Sequence, residues 1–122
     1  MFDLAHIAMV VRDAERSAQF YNQALDFAIR KQSVTPTFKA VFLKAGTLVI
    51  ELLEYLQPET QPRSKGVIDH LAFRVKDLPA VMAQLEAKGV NFETAQPRKA
   101  FDGSKIIFFH GPDGERIELV EF

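Results

Sequence analysis

The sequence contains no cysteine and no tryptophan. The absence of cysteine excludes disulfides, a cysteine nucleophile and thiolate metal ligands. Net charge is almost absent too, because 15 Lys and Arg face 16 Asp and Glu for a formal charge of −1. Such a chain has no overall attraction for a phosphate backbone or an anionic membrane. Its longest unbroken apolar run, residues 7–11, is too short to cross a bilayer. Any chemistry must therefore use oxygen and imidazole groups.

What remains is the composition of an ordinary globular protein. The chain has 122 residues, of which 48% are hydrophobic and 25% charged. These values suit one domain with its own core and exclude disordered and fibrous classes. The first residues, MFD, do not begin a basic segment followed by an apolar one, as a secretory signal would. We expect a soluble, cytoplasmic protein with no nucleic-acid partner and no membrane partner.

The chain contains an internal repeat. Residues 6–13 (HIAMVVRD) align with residues 70–77 (HLAFRVKD), and residues 50–55 (IELLEY) align with residues 117–122 (IELVEF). Between the copies lies a polar stretch with two prolines, which is typical of a linker. The sequence therefore predicts one domain over 1–122, with module one at about 1–56, a linker at 57–66 and module two at 67–122.

Each copy is predicted to form a strand, a helix and three more strands. Asp13 and Asp77 are suited to cap the helices, since each precedes a helical apolar stripe. In copy one the later strands are predicted at 27–33, 38–44 and 47–55. In copy two they are predicted at 90–94, 104–110 and 115–122, the last two joined by the turn sequence GPDG. The fold class is α+β, with two tandem βαβββ modules.

Two histidines and two glutamates occupy matched positions inside apolar strands. His6 matches His70, and Glu51 matches Glu118. A carboxylate in apolar surroundings is costly unless its charge is compensated. Two imidazoles and two carboxylates form a ligand set for a divalent metal of borderline hardness. Taken singly, each could instead be a hydrogen-bonded structural histidine or a sheet-edge glutamate, and the match across the repeat favours the metal.

Other polar side chains are predicted to lie outside this ligand set. Glu54 and Glu121 follow Glu51 and Glu118 by three positions, which places them on the opposite strand faces. His110 precedes the GPDG turn without a histidine partner in copy one, as a turn-flanking or cavity-rim residue would.

Basic and aromatic residues give weaker signals. The cluster Arg98, Lys99 and Lys105 either holds an anionic substrate group or is part of a solvated loop. Four of the 11 phenylalanines are interpreted as core or pocket wall, namely Phe38, Phe42, Phe101 and Phe108.

Along its whole length the sequence resembles the vicinal oxygen chelate superfamily, also called the glyoxalase/bleomycin resistance/dioxygenase superfamily. The motifs that carry the resemblance are residues 6–13 followed by SAQFY at 17–21, then VIELL at 49–53, DHLAFRV at 69–75 and GPDGERIEL at 111–119. The resemblance implies that the paired modules form a half-open, eight-stranded, barrel-like sheet with the helices outside. It also implies a metal inside, and His6, Glu51, His70 and Glu118 match the four ligand positions of glyoxalase I-like members.

That complete ligand set implies a metal-dependent carbon–sulfur lyase or isomerase of glyoxalase I type. Such an enzyme chelates vicinal oxygens of a small carbonyl substrate and moves a proton through an enediolate. By resemblance, Glu118 and Glu51 are the catalytic proton carriers, with Glu118 preferred. The metal is Ni, Co, Zn or Mn, and the resemblance does not choose among them.

The resemblance leaves some functions open. Glutathione-using relatives commonly carry Arg and Asn where this chain has Val10 and Tyr55, so the resemblance does not extend to those glutathione contacts. The alternatives are an isomerase similar to methylmalonyl-CoA epimerase, a non-catalytic small-molecule (antibiotic-type) binding protein, and a dioxygenase with two histidines and one glutamate. A homodimer is expected because open sheet edges need covering, with the modules pairing either within one chain or between chains.

Overall fold

The computed structural model of the chain describes residues 5–57, 68, 70–100 and 103–121. The described residues form eight strands and two helices in the predicted order. They are β1 (Ile7–Val10), α1 (Ala14–Leu25), β2 (Ala28–Val34), β3 (Phe38–Ala45), β4 (Leu48–Tyr55), β5 (Leu71–Arg74), α2 (Leu78–Ala87), β6 (Arg98–Lys99), β7 (Lys105–His110) and β8 (Arg116–Glu121). None of the helices in these residues is both long and apolar enough to cross a membrane.

The chain divides into two compact units, 1–62 and 63–122. Each unit has its own four-stranded sheet, ordered β1-β4-β3-β2 in the first and β5-β8-β7-β6 in the second. In both, the first strand runs parallel to the last, and the other pairs are antiparallel. The α+β class and its two βαβββ modules are confirmed. Most of the predicted linker lies outside the described residues, and so does Phe101.

The helices begin where the sequence predicts. The carboxylate of Asp13 accepts a hydrogen bond from the Arg16 amide at 3.0 Å, and that of Asp77 accepts one from the Ala80 amide at 3.1 Å. Helix α1 ends at Asp26, which adopts a left-handed conformation with φ of 59°. Helix α2 ends before Gly89, whose φ of +91° suits glycine.

Each sheet buries one face beneath its own helix. Along β4 the side chains of Ile50 and Leu52 are fully buried, and α1 packs against β3 and β4. The matching residues of β8, Ile117 and Leu119, are buried in the same way. Because side chains alternate along a strand, the glutamate between each pair points to the other face of its sheet. The core therefore fixes the direction in which Glu51 and Glu118 face.

The prediction of a strand at 90–94 is wrong. Only Phe92 forms a bridge there, opposite Phe109, and the fourth strand of the second sheet is the short β6. The chain turns after this bridge, where the Thr94 hydroxyl donates to the Gln96 carbonyl at 2.8 Å. Pro97 follows and has no amide hydrogen for a ladder, so pairing resumes only at Arg98.

Candidate metal centre

In the first unit, His6 and Glu51 come together. His6 stands one residue before β1, and β1 pairs with β4 so that Ala8 is opposite Glu51. The Nε2 atom of His6 lies 3.5 Å from Oε1 of Glu51. The His6 side chain is 44% exposed and that of Glu51 18%. An imidazole at the strand end thus meets a half-buried carboxylate on the neighbouring strand.

The second unit repeats this pair more tightly. His70 stands one residue before β5, and Ala72 is opposite Glu118. The Nε2 atom of His70 lies 3.1 Å from Oε2 of Glu118, with side-chain exposures of 32% and 13%. Equivalent residues of the repeat therefore form equivalent His–Glu pairs, each assembled within its own unit.

A phenylalanine ring lies beside each pair. Phe42 is opposite Glu51 on the neighbouring strand, and its ring is nearly perpendicular to that of His6, with centroids 6.1 Å apart. Phe108 is opposite Glu118, and its ring stands at 89° to that of His70 at 5.4 Å. The sequence supplied a signal for this match, because KAVFLK at 39–44 aligns with KIIFFH at 105–110. The sequence analysis assigns Phe42 and Phe108 to the core or a pocket wall and does not identify their contacts with the two histidines.

The neighbouring glutamates serve the helices, as strand alternation predicts. The Ala14 amide at the start of α1 donates to Oε1 of Glu54 at 2.9 Å. The Leu78 amide at the start of α2 donates to Oε2 of Glu121 at 2.7 Å. These carboxylates satisfy amides that have no partner inside the helix and lie near the positive end of the helix dipole. The expectation that they lie on the opposite faces is confirmed.

The donor chemistry of each pair fits a divalent cation. Two ligands about 2.1 Å from one cation are about 3.0 to 3.4 Å apart in octahedral or tetrahedral geometry. The observed separations of 3.1 and 3.5 Å are close to this range. In the described part of the chain, neither Glu51 nor Glu118 forms an ion pair with lysine or arginine.

Each pair alone supplies two donors. Within residues 5–57, 68, 70–100 and 103–121, no group of three or more His, Asp or Glu side chains forms a metal-binding cluster. The structure thus establishes an imidazole–carboxylate contact in each pair, which is a hydrogen bond for His70 and Glu118 and a 3.5 Å approach for His6 and Glu51.

Module two also contains a charged cluster of Glu93, His110 and Arg116, which the sequence analysis does not predict. Glu93 receives two hydrogen bonds from Arg116, at 2.9 Å from Nε and 2.8 Å from a terminal nitrogen. His110 Nε2 lies 2.7 Å from the same carboxylate, and its Nδ1 donates to the Gly114 carbonyl at 3.1 Å. The hydrogen bond from Arg116 is the main cause that lowers the pKa of Glu93 from 4.5 to about 2. His110 thus flanks the turn, as expected.

The basic residues of the sequence prediction lie in strands. Arg98 and Lys99 form β6 and pair with Ile106 and Lys105 of β7, so they belong to an exposed edge strand rather than a loop. The Arg98 guanidinium carbon lies 6.0 Å from the centre of the Phe108 ring.

Comparison with known proteins agrees with this architecture. The chain is 31% identical over 122 residues to the uncharacterised protein YwkD of Bacillus subtilis, covering 95% of this chain and 94% of YwkD. It is 29% identical to a lactoylglutathione lyase of Haemophilus influenzae, covering 97% and 91%. The crystal structure of a glyoxalase family protein from Enterococcus faecalis superposes with a TM-score of 0.83 at 29% identity, covering 98% and 97%.

The family profile matches nearly the whole chain. The profile described as the Glyoxalase/Bleomycin resistance protein/Dioxygenase superfamily aligns with residues 3–119 and so includes both modules. Both helices, seven of the eight strands, the start of β8 and both His–Glu pairs lie within the matched region. With this match the resemblance inferred from the motifs is confirmed, and the chain belongs to the Glyoxalase/Bleomycin resistance protein/Dioxygenase superfamily.

Proposed function

We propose that the protein is a metal-dependent lyase or isomerase of glyoxalase I type, which moves a proton next to a carbonyl group of a small substrate. The observation that supports this most directly is the repeated pairing of an imidazole with a half-buried carboxylate, at 3.5 Å and 3.1 Å. An ion pair of Glu51 or Glu118 with lysine or arginine would have argued against a metal, and among the described residues the ion-pair partner of each is a histidine.

In this proposal His6, Glu51, His70 and Glu118 together hold one divalent cation, which is Ni, Co, Zn or Mn. Mixed imidazole and carboxylate donors suit these ions and disfavour soft ones. When bound, such a cation acts as a Lewis acid that polarises the substrate oxygens and acidifies the adjacent C–H bond. The two pairs meet either within one chain or across a homodimer.

Glu118 is the proposed proton carrier, with Glu51 as its counterpart in module one. Glu118 has the less exposed side chain, at 13% against 18%, and the ring of Phe108 lies beside it on the neighbouring strand. Restricted access of water favours proton transfer by a carboxylate held next to the substrate carbon. His70 holds one carboxylate oxygen at 3.1 Å and so keeps the group oriented.

The test compares two identical substitutions on one strand. Glu118→Gln should lose the bound metal and lower turnover of a 2-oxoaldehyde hemithioacetal roughly 100-fold or more. Glu121→Gln keeps a carbonyl oxygen for the Leu78 amide and should retain both metal and turnover. Elemental analysis of protein purified without a metal-affinity column gives the metal content. A wild-type protein that neither carries nor takes up a divalent metal would refute the proposal and favour a non-catalytic binding protein.

A further inference from the structure

The charged cluster of module two lies on the same sheet face as the His70–Glu118 pair, since Arg116 precedes Glu118 by two positions on β8. We infer that Arg116, fixed by Glu93, is a positioning residue that holds the imidazole of His70 through the ring of Phe108. The inference rests on the proposed function in treating His70 as a metal ligand. Its structural part, the control of the His70 ring by Arg116, stands independently of any metal.

The contact between Glu93 and Arg116 fixes the guanidinium of Arg116. Two hydrogen bonds to the two oxygens of Glu93 hold the plane of Arg116 in one orientation. The guanidinium carbon of Arg116 lies 3.7 Å from the centre of the Phe108 ring, which is stacking distance for a cation on an aromatic face. Because Glu93 anchors the cation, Arg116 acts as a rigid support for that ring.

The second contact transmits this support to the histidine. Phe108 is almost completely buried, and its ring meets that of His70 perpendicularly at 5.4 Å. Phe108 is also the cross-strand neighbour of Glu118, and the carboxylate of Glu118 accepts a hydrogen bond from Nε2 of His70. The imidazole is therefore held between a fixed ring and a carboxylate.

Module one lacks the support. Ile29 pairs with Leu43 as Phe92 pairs with Phe109, but the register then shifts at Arg30, and Lys31 lies opposite Phe42. Similarly, Lys44 pairs with Val49 as His110 pairs with Arg116. Module one thus carries a lysine and a valine at the positions of His110 and Arg116, and two basic residues, Arg30 and Lys31, at the register shift.

The two His–Glu pairs differ in the direction that this difference between the modules predicts. The cation beside Phe42 is Lys31, whose Nζ lies 5.7 Å from the ring centre, compared with 3.7 Å for Arg116 over Phe108. The unsupported His6 is more exposed than His70, and its distance to the carboxylate is longer, 3.5 Å against 3.1 Å.

The test replaces Arg116 with methionine, which keeps an unbranched stem but removes the planar cation. The chain has three histidines, so their Cε1–H NMR signals are assigned by single His→Gln variants. In the metal-free protein, Arg116→Met should shift and broaden the His70 signal, because the ring of Phe108 is no longer fixed. The His6 signal should stay in place. Affinity for Ni²⁺, measured by titration, should fall roughly 10- to 100-fold, as is usual when an outer partner of a metal ligand is lost.

Lys105→Met is the matched control, since it removes an exposed cation from β7 at a position whose side chain alternates to the face opposite that of Phe108. It should leave the His70 signal and the Ni²⁺ affinity unchanged. Should Arg116→Met fail to fold, Glu93→Gln removes the anchor of the same guanidinium and should shift the His70 signal in the same direction. An unchanged His70 signal in the folded variant, or an equal shift in Lys105→Met, would overturn the inference.

The two proposals fail separately in this experiment. If the wild-type protein binds no Ni²⁺, the proposed function fails, while the His70 signal of the metal-free protein still decides whether Arg116 positions the ring. If the wild-type protein binds Ni²⁺ and Arg116→Met changes neither the affinity nor the His70 signal, only the positioning inference fails.

Discussion

Glutamates three positions apart on one strand perform different tasks because strand side chains alternate. Glu51 and Glu118 face the histidines, whereas Glu54 and Glu121 accept hydrogen bonds from the first amides of the helices. Each helix therefore has two carboxylate acceptors at its start, since an aspartate caps the same turn. The candidate metal ligands and the helix caps can consequently be separated by mutation.

Removing a helix acceptor should destabilise the fold without affecting metal binding. Glu54→Ala and Glu121→Ala each leave a helix amide without its carboxylate partner, and each should lower the free energy of unfolding by about 1 kcal/mol. Urea denaturation measures this loss. The corresponding glutamine variants keep an oxygen acceptor and should lose less. A loss of metal in the folded alanine variants would show that these carboxylates also belong to the site.

At this scale the sequence predicts matched residues well and unmatched ones poorly. The opposite facing of Glu51 and Glu54, and of Glu118 and Glu121, follows from strand alternation, whereas a joint metal site of both histidines and both glutamates stays a prediction. The cluster of Glu93 and Arg116 could not be found in this way, because module one carries Val49 at the position of Arg116 and has a register shift near the position of Glu93. Its partners are 23 positions apart in the chain, and only the folded hairpin brings them together.

At the scale of elements, the same cluster ties the segment after α2 to the β7–β8 hairpin. Glu93 contacts His110 at the end of β7 and Arg116 at the start of β8, and its amide donates to the Phe108 carbonyl at 2.8 Å. A segment that forms a single bridge with the sheet thereby gains charged contacts at the turn end of the hairpin. These contacts depend on the ionisation of Glu93.

The stabilisation from Glu93 should therefore depend on pH. Its folded-state pKa, about 2, lies below the ordinary value of 4.5, chiefly because of the hydrogen bond from Arg116. A lowered pKa stabilises the fold fully above the ordinary value and less as the pH falls toward the folded value. The difference in free energy of unfolding between wild type and Glu93→Gln should be largest near pH 7 and narrow below pH 4.5.

A double-mutant cycle provides the control for this dependence. In an Arg116→Met background, the effect of Glu93→Gln should be much smaller at pH 7, because its principal partner is gone. Chemical denaturation at several pH values measures all four proteins. An undiminished effect of Glu93→Gln in that background, or one independent of pH in the wild-type background, would contradict the assignment.

Elements with local signals were predictable, and elements that depend on distant partners were less so. Both helices carry their caps in the sequence, and the GPDG turn closes with the Gly111 amide on the Glu115 carbonyl. The short β6 forms because the chain beyond Pro97 pairs with the edge of β7. No local pattern in the sequence predicts this pairing. Residues 90–94 alternate like a strand, but only one of them pairs.

At the scale of the whole molecule, duplication supplies two similar pairs of donors, neither of which is a complete site. Two donors leave a divalent cation dependent on solvent, whereas four protein donors with open positions for substrate suit an octahedral ion. The proposed function therefore requires both pairs to serve one cation. It predicts one metal per chain, whether the modules pair within a chain or across a homodimer.

Disabling one pair should accordingly abolish metal binding rather than halve it. The double variant His6→Ala, Glu51→Ala leaves the tighter His70–Glu118 pair intact and should still take up no metal at concentrations that saturate the wild type. The converse variant, His70→Ala with Glu118→Ala, is the matched control and should behave identically. Metal titration of the folded proteins with elemental analysis gives the stoichiometry. If each variant instead keeps one metal while the wild type holds two, each module binds its own cation, and the shared site is wrong.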